Sequence, residues 1–166
     1  MPPQNAPVLI DANAIIEAHR KGCWAALCGR FRIETVEQCF IETQTGFQRR
    51  RQEELIDPAA LRAQLTAVHA VSQVELARVD LLGGPILDEG EKALWAHAMT
   101  RTDAWVLCGP DRASMRFGFQ QGFRDRLVSL GGMLNDIGHR PRVALGAQYE
   151  KTWLDRLLND LAMGLL

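Results

Sequence analysis

Short apolar runs alternate with longer segments of helical periodicity along this chain, and this alternation constrains the fold more than any other feature. The strand-like runs are either continuously apolar or alternate apolar with polar residues, whereas the segments between them repeat their apolar residues at the helical period. This order predicts an α/β fold, a three-layer α/β/α sandwich around a mostly parallel central sheet. The predicted strands are 8–10, 31–36, 104–109 and 126–130, and the predicted helices are 12–20, 22–29, 37–50, 58–71, 88–101, 112–123 and about 148–164.

The middle of the chain is the least distinct part of this pattern. Pro58 suits the first turn of a helix, and Leu61, Leu65 and Val68 extend a helical periodicity to about residue 71. Residues 72–82 follow, and their pattern fits either a strand or a loop.

The length and composition predict one domain over residues 1–166. With 47% hydrophobic residues, the chain has enough apolar surface for a packed core, and no linker, repeat or low-complexity tract divides it. The C-terminal helix at about 148–164 is amphipathic. Its apolar face has three alternatives: packing onto the same domain, a homodimer seam, or a groove for a partner protein.

Charge and cysteine content exclude several classes of protein. A net charge of −1 argues against a module held to nucleic acid by bulk electrostatics, although it is compatible with an enzyme that contacts nucleic acid locally. The four cysteines form no CxxC pair, and no signal peptide is evident, so we expect reduced, buried thiols in a cytoplasmic protein. No apolar run approaches the ~20 residues of a membrane span, and no histidine spacing suggests a zinc hydrolase.

Two acids lie at or just after the ends of predicted strands. Asp11 comes after strand 8–10, and Asp111 comes after strand 104–109. Either residue suits the N-cap of the following helix, because aspartate accepts hydrogen bonds from the first-turn amides. Parallel sheets, however, bind their ligands outside the carboxyl ends of the strands. Two acids at that edge therefore favour a functional site.

Acids also lie on predicted helix faces that should be buried. Glu91 shares a face with Leu94 and Trp95, and a carboxylate there needs a partner, for which a metal ion is one candidate. Asp88 and Glu91 also have the spacing of a capping box, which is the structural alternative for both. In the helix after the second strand, Glu42 lies deep, whereas Glu37 lies in the first turn, where an acid simply suits the helix dipole.

Four segments in this order resemble the PIN-domain nucleases: "LIDANAII", "VEQCFIETQTG", "LDEGEKALWAHA" and "WVLCGPDRASMRFG". The resemblance covers residues from about 8 to 135. In that family an Asp ends the first strand, a Glu lies in the helix after the second strand, a Gly-Glu pair opens a later helix, and another Asp follows a late strand. The resemblance thus implies four catalytic acids, with Glu37 and Asp88 as alternatives to the second and third: Asp11, Glu42, Glu91 and Asp111.

The function implied by this resemblance is a divalent-metal-dependent endoribonuclease. Asp11, Glu91 and Asp111 would hold Mg²⁺ or Mn²⁺, which prefer oxygen ligands and can activate a water for phosphodiester hydrolysis. RNA would be the substrate, with Asn13, Arg112 and Arg116 as candidate substrate-binding residues. One form of this prediction is the toxin of a toxin–antitoxin pair, with an antitoxin protein as partner. The "QRRRQ" run at 48–52 is a second basic cluster, for which a solvated helix end is the simpler interpretation.

Two departures from the family pattern bear on these predictions. Family members often carry Thr or Ser shortly before the last Asp, whereas "CGPD" supplies neither and Ser114 comes three residues later. The segment from 44 to 80 is also longer than in the compact toxins. The alternative is therefore a catalytically degenerate PIN-like module that binds RNA or a partner protein. An unrelated α/β phosphohydrolase is disfavoured, because "DAN" lacks a DxD pattern and no phosphate-binding glycine loop is present.

Overall fold

A five-stranded parallel sheet forms the centre of the computed structural model, which describes residues 5–45, 55–83 and 86–166. The strand order is β3-β2-β1-β4-β5, and each described pairing is parallel. This confirms the predicted α/β architecture. The strands are β1 (Pro7–Ile10), β2 (Arg32–Val36), β3 (Ala67–His69), β4 (Val106–Cys108) and β5 (Leu127–Val128).

Helices cover both faces of the sheet and complete the three layers. Alternate strand residues point to opposite faces, so Val8 and Ile10 pack into one apolar cluster and Leu9 into the other. Helices α1, α2, α4 and α8 contribute to the first cluster, and α5, α6, α7 and α9 contribute to the second. The helices are α1 (Ala12–Arg20), α2 (Trp24–Cys28), α3 (Glu37–Thr43), α4 (Pro58–Gln64), α5 (Gln73–Leu81), α6 (Glu89–Ala98), α7 (Arg112–Gln120), α8 (Leu130–Asp136) and α9 (Lys151–Ala162).

The middle of the chain differs from the sequence-based prediction in two places. The predicted helix over 58–71 is wrong beyond Gln64, because Ala67–His69 pairs with β2 and forms the edge strand β3. The strand or loop predicted for 72–82 is also wrong, because this segment is α5. Only Val79 of α5 is fully buried, which explains why its sequence shows so weak a helical pattern.

Helix α8 was not predicted, and its second and third residues are glycines, which are unfavourable within a helix. Ser129 caps this helix by accepting a hydrogen bond from Gly132 N at 3.0 Å. Gly131 is needed for packing: a Cβ atom there would lie 3.2 Å from Glu150 Cα. This glycine therefore serves a close approach between two backbone segments and does not interrupt the helix.

The C-terminal helix packs onto the same domain, which was the simplest of the three alternatives for its apolar face. Leu154, Leu157 and Leu158 of α9 are buried within the second apolar cluster. All four cysteines are free thiols; three are buried, and Cys28 is half-buried. None of the helices in the described ranges is long and apolar enough to span a membrane. The predicted helix 37–50 is wrong at its end, because α3 stops at Thr43 and residues 44 and 45 form a turn and a bend. Residues 46–50 of that prediction and the basic run at 48–52 lie outside the described residues.

Candidate metal centre

The strand order places a crevice next to β1. From β1 the chain passes to one side for β2 and β3 and then returns to the other side for β4 and β5. Helices α1 and α2, which connect β1 to β2, lie on one face, and α7, which connects β4 to β5, lies on the other. Connections that diverge in this way open a crevice outside the carboxyl ends of β1 and β4. Asp11 and Asp111 are the residues that follow these two strands closely.

Both aspartates are N-caps, as the sequence predicted. Asp11 Oδ2 accepts a hydrogen bond from Asn13 N at 3.0 Å, and Asp111 Oδ1 accepts one from Ser114 N at 3.0 Å. Asp11 N in turn donates to Cys108 O at 3.0 Å, which ties the end of β1 to β4. Each cap uses one carboxylate oxygen. The other oxygen of Asp11, Oδ1, accepts a long contact from Cys39 Sγ at 4.0 Å, and the cap leaves Oδ2 of Asp111 unused.

Helix α3 brings a further acid to Asp11. Ligand atoms of Asp11, Cys39 and Glu42 lie within 4.8 Å of one another. The Glu42 carboxylate packs against Gly90 in the first turn of α6, where an added Cβ atom would lie only 2.8 Å from Glu42 Cδ and in contact with Oε2. Gly90 therefore leaves the space that the Glu42 carboxylate occupies.

The start of α6 holds the predicted capping box. Asp88 Oδ1 accepts from Glu91 N at 2.8 Å, and Glu91 Oε2 accepts from Asp88 N at 3.2 Å. Glu91 is nevertheless buried, whereas Asp88 is exposed. One Glu91 oxygen thus takes part in the cap, and the carboxylate also lies within electrostatic reach of Asp111 and Asp11.

These acids raise one another's pKa values. Burial, followed by repulsion from Asp88 and Glu42, raises the pKa of Asp11 to about 7. Burial, followed by repulsion from Asp111 and Asp88, raises the pKa of Glu91 to about 8. The pKa of Glu42 is raised as well, by burial and then by Asp88. Each shift has the sign expected of like charges that share a partly desolvated site.

A buried acid elsewhere in the sheet behaves in the opposite way. Glu34 of β2 is as buried as Asp11, and burial acts to raise its pKa. Arg101 Nη1 at 2.7 Å and His69 Nε2 at 2.6 Å from Glu34 Oε1 outweigh that effect and lower the pKa. Glu34 thus has cationic partners within the protein. Among the described residues, no ion pair of this kind involves Asp11 or Glu91.

The structure brings the predicted acids of four separate segments to one edge of the sheet: Asp11, Glu42, Glu91 and Asp111. Asp88 adjoins them, and we refer to these five residues as the carboxylate cluster. Glu37, the alternative to Glu42, pairs instead with Arg62 of α4 at 3.1 Å. The spacing of Asp88 and Glu91 did not show that both residues would belong to the cluster.

Cys39 is the cluster neighbour that sequence reasoning did not select. Its position three residues before Glu42, on the same face of α3, was the only signal available. Burial and then repulsion from Asp11 and Glu42 raise the pKa of the Cys39 thiol well above its usual value. The thiol donates to Gly90 O at 3.4 Å. A protonated thiol is a poor metal ligand, so oxygen atoms dominate the donor set.

The predicted substrate-binding residues lie at the surface beside the cluster. Asn13 in the first turn of α1 is exposed, as are Arg112 and Arg116 of α7. Neither arginine forms an ion pair with another residue in the described ranges. Ser114 Oγ, by contrast, is buried and accepts from Trp95 Nε1 at 2.9 Å. Its hydroxyl therefore does not replace the Thr or Ser expected before Asp111.

The donor chemistry of the carboxylate cluster fits Mg²⁺ or Mn²⁺, which bind through carboxylate oxygens and water. The predicted ligands were Asp11, Glu91 and Asp111, whereas the ligand atoms that lie within 4.8 Å of one another in the described ranges belong to Asp11, Cys39 and Glu42. Glu91 and Asp111 lie in the neighbouring elements and interact electrostatically with each other and, through Glu91, with Asp11. No protein-family model matches the chain, and a search of curated proteins finds no matching sequence.

The raised pKa values predict how the metal-free protein responds to pH. In the unfolded state, Asp11 and Glu91 are already deprotonated at pH 6.5. In the folded state, their raised pKa values mean that they release their protons only as the pH rises from 6.5 to 8. The folded state then binds more protons than the unfolded state, so stability falls as pH rises. We expect the free energy of unfolding in EDTA to drop by roughly 1–2 kcal/mol over this interval. Denaturant titrations at both pH values measure the change, and a rise in stability would contradict it.

Proposed function

We propose that this protein is a divalent-metal-dependent endoribonuclease with a PIN-like site. The observation that carries the proposal is the convergence of the carboxylate cluster at the crevice between β1 and β4, with no cationic partner for Asp11 or Glu91 in the described ranges. Such an arrangement costs stability in the empty protein, because like charges are held together and partly desolvated. A divalent cation offsets that cost and gives the cluster a function.

Each part of the cluster has a role in the proposed hydrolysis. Asp11, Glu91 and Asp111 would hold the ion, which when bound would supply an activated water and neutralise charge on the phosphate. Glu42 is half-buried and has a raised pKa, so its carboxylate would be the proton acceptor of the site. Asn13 borders the crevice and offers an exposed amide to the substrate. No side chain has to act as the nucleophile.

Cleavage of labelled RNA tests the proposal. Single-stranded and structured RNAs are incubated with the full chain in Mg²⁺, Mn²⁺ or EDTA, and the products are resolved by length. Internal cuts that require the metal are expected. Cleavage that persists in EDTA would overturn the metal-dependent mechanism. The further prediction, that the enzyme is the toxin of a toxin–antitoxin pair, is checked by whether a small gene lies immediately upstream.

A degenerate module that binds RNA or a partner protein is the second candidate. The observation in its favour is that Cys108, Gly109 and Pro110 precede Asp111 where a hydroxyl residue is expected, while Ser114 faces Trp95. The same experiment separates the two candidates. Mn²⁺ that raises the melting temperature without any RNA cleavage would select the binding module.

Arg112 and Arg116 are expected to contact substrate phosphate. Both are exposed on α7, which Asp111 caps, and arginine binds phosphate through paired N–H donors. Replacing both by Ala should reduce kcat/KM for RNA by about tenfold or more, mainly through KM. The control is Arg30→Ala with Arg78→Ala, which removes two exposed arginines from α5 and from the loop after α2. Equal activity of the two double variants would rule out the contact.

A further inference from the structure

The segment before α9 packs against α1 and α8, on the face of the sheet opposite α7. Gly146 N donates to Glu17 Oε2 of α1 at 2.7 Å. Four residues later, Glu150 packs against Gly131 at the start of α8, where a Cβ atom would lie 3.2 Å from Glu150 Cα. Helices α1 and α8 both begin at the carboxyl edge of the sheet, because each follows a strand directly. Residues 146–150 therefore contact the middle of α1, the helix after β1, and the start of α8, the helix after β5.

Tyr149 lies in this segment and is the only tyrosine of the chain. Its half-buried ring packs against the apolar cluster that contains Ile10 and Cys108, the last residues of β1 and β4. Burial, followed by repulsion from Glu17 and Asp11, raises the pKa of Tyr149 to about 12. The phenol is thus neutral, close to the carboxylate cluster, and makes no hydrogen bond to another residue of the described ranges through its hydroxyl.

The loop that leads to Tyr149 is basic. Residues 137–146, "IGHRPRVALG", contain two arginines and a histidine and no acid. Arg140 and Arg142 are exposed, and neither guanidinium pairs with a residue that the structure describes. Arg140 and Glu150 line one small cavity of about 190 Å³, so the basic loop lies directly beside the segment that carries Tyr149.

We infer that Tyr149, Arg140 and Arg142 form a binding surface for single-stranded RNA on the side of the crevice opposite Arg112 and Arg116. This inference rests on the proposed function, because it requires the RNA strand to cross the carboxylate cluster. The strand would run from Arg112 and Arg116 on one side to Arg140 and Arg142 on the other. Aromatic rings that stack on bases, flanked by cations that contact phosphates, are the combination by which proteins hold single strands without sequence preference. The strand would therefore enter and leave the crevice on opposite faces of the sheet.

Fluorescence anisotropy with a labelled single-stranded RNA of about 12 nucleotides tests the inference. All proteins carry Asp11→Asn and are measured in Mg²⁺, so that on the proposed function no cleavage occurs. Arg140→Gln with Arg142→Gln should weaken binding about tenfold and reduce the slope of log Kd against log salt by about 1.4. The control, Arg30→Gln with Arg78→Gln, removes the same charge from exposed positions elsewhere and should change Kd less than twofold.

Tyr149 is tested separately, because its ring is partly buried. Tyr149→Phe keeps the ring and should bind RNA nearly as well, whereas Tyr149→Leu should bind about tenfold more weakly. Thermal melts establish that each variant is folded. Arginine variants that bind like the control would overturn the inference, as would a failure of the parent protein to bind the RNA. A different result would contradict the proposed function alone. In that case these variants would lose RNA binding, but the wild-type chain would show no metal-dependent cleavage.

Discussion

Asp11→Asn is expected to abolish RNA cleavage while leaving the metal-free fold as stable as the wild type or more stable. Activity should fall by more than about 100-fold, because even residues that only support metal ligands typically contribute 10- to 100-fold. The Asn side chain keeps an oxygen for the cap on Asn13 N, and asparagine caps helices as well as aspartate does. The substitution also removes a buried carboxylate that Asp88 and Glu42 repel. Cleavage assays and thermal melts in Mn²⁺ and in EDTA measure both effects.

Asp57→Asn is the matched control for this variant. Asp57 caps α4 by accepting from Ala60 N at 2.8 Å, so it has the same structural role as Asp11 but lies at an exposed helix start away from the cluster. Its variant should cleave RNA and respond to Mn²⁺ as the wild type does. If Asp11→Asn instead lost metal-free stability and kept its activity, Asp11 would be a cap and nothing more.

The strand-end acids were predictable because their placement follows from chain order. An acid at or just after the end of a buried parallel strand lies at the carboxyl edge of the sheet, and this position does not depend on how the helices pack. Asp11 and Asp111 therefore needed only a correct strand assignment, which short apolar runs provide. The edge strand β3 was assigned to a helix because Leu65 and Val68 continue the helical period of the segment before it. Helix α5 was assigned wrongly because only Val79 of its residues is fully buried, so it shows little helical periodicity.

The choice between Glu37 and Glu42 could not be made from the sequence. The two residues lie five positions apart on α3, so they point in different directions, and which direction faces the crevice depends on neighbouring elements. Arg62, which pairs with Glu37, lies 25 residues further along the chain on α4. Gly90, which makes room for Glu42, lies 48 positions away in α6. The position of Tyr149 was even less predictable from the sequence, because the hydrogen bond that fixes its segment joins residues 129 positions apart.

Gly90→Ala is expected to abolish the proposed RNA cleavage by displacing the carboxylate of Glu42. The added Cβ atom would occupy space now held by the Glu42 carboxylate, and this flexible side chain can move where the backbone cannot. A displacement of about 1 Å at a catalytic group can cost about 100-fold in rate. Stability should be preserved, because Ala is preferred over Gly within a helix by roughly 0.5–1 kcal/mol. Measurement of kcat together with a thermal melt in EDTA separates the two effects.

A double-mutant cycle identifies Glu42 as the group through which Gly90 acts. If Gly90→Ala acts only by displacing that carboxylate, then Glu42→Gln should lower kcat to a similar extent, and the double variant should be no slower than either single one. Gly29→Ala is the control, because a Cβ atom at the end of α2 meets only ordinary contact with Ala25 O at 3.4 Å. Additive losses would mean that Gly90 affects activity by another route, and full activity of Gly90→Ala would remove Glu42 from the proposed mechanism. Neither Gly90→Ala nor Glu42→Gln removes a side chain that caps a helix. Non-additive losses of kcat would therefore indicate a functional carboxylate cluster and not merely a set of helix caps at one edge of the sheet.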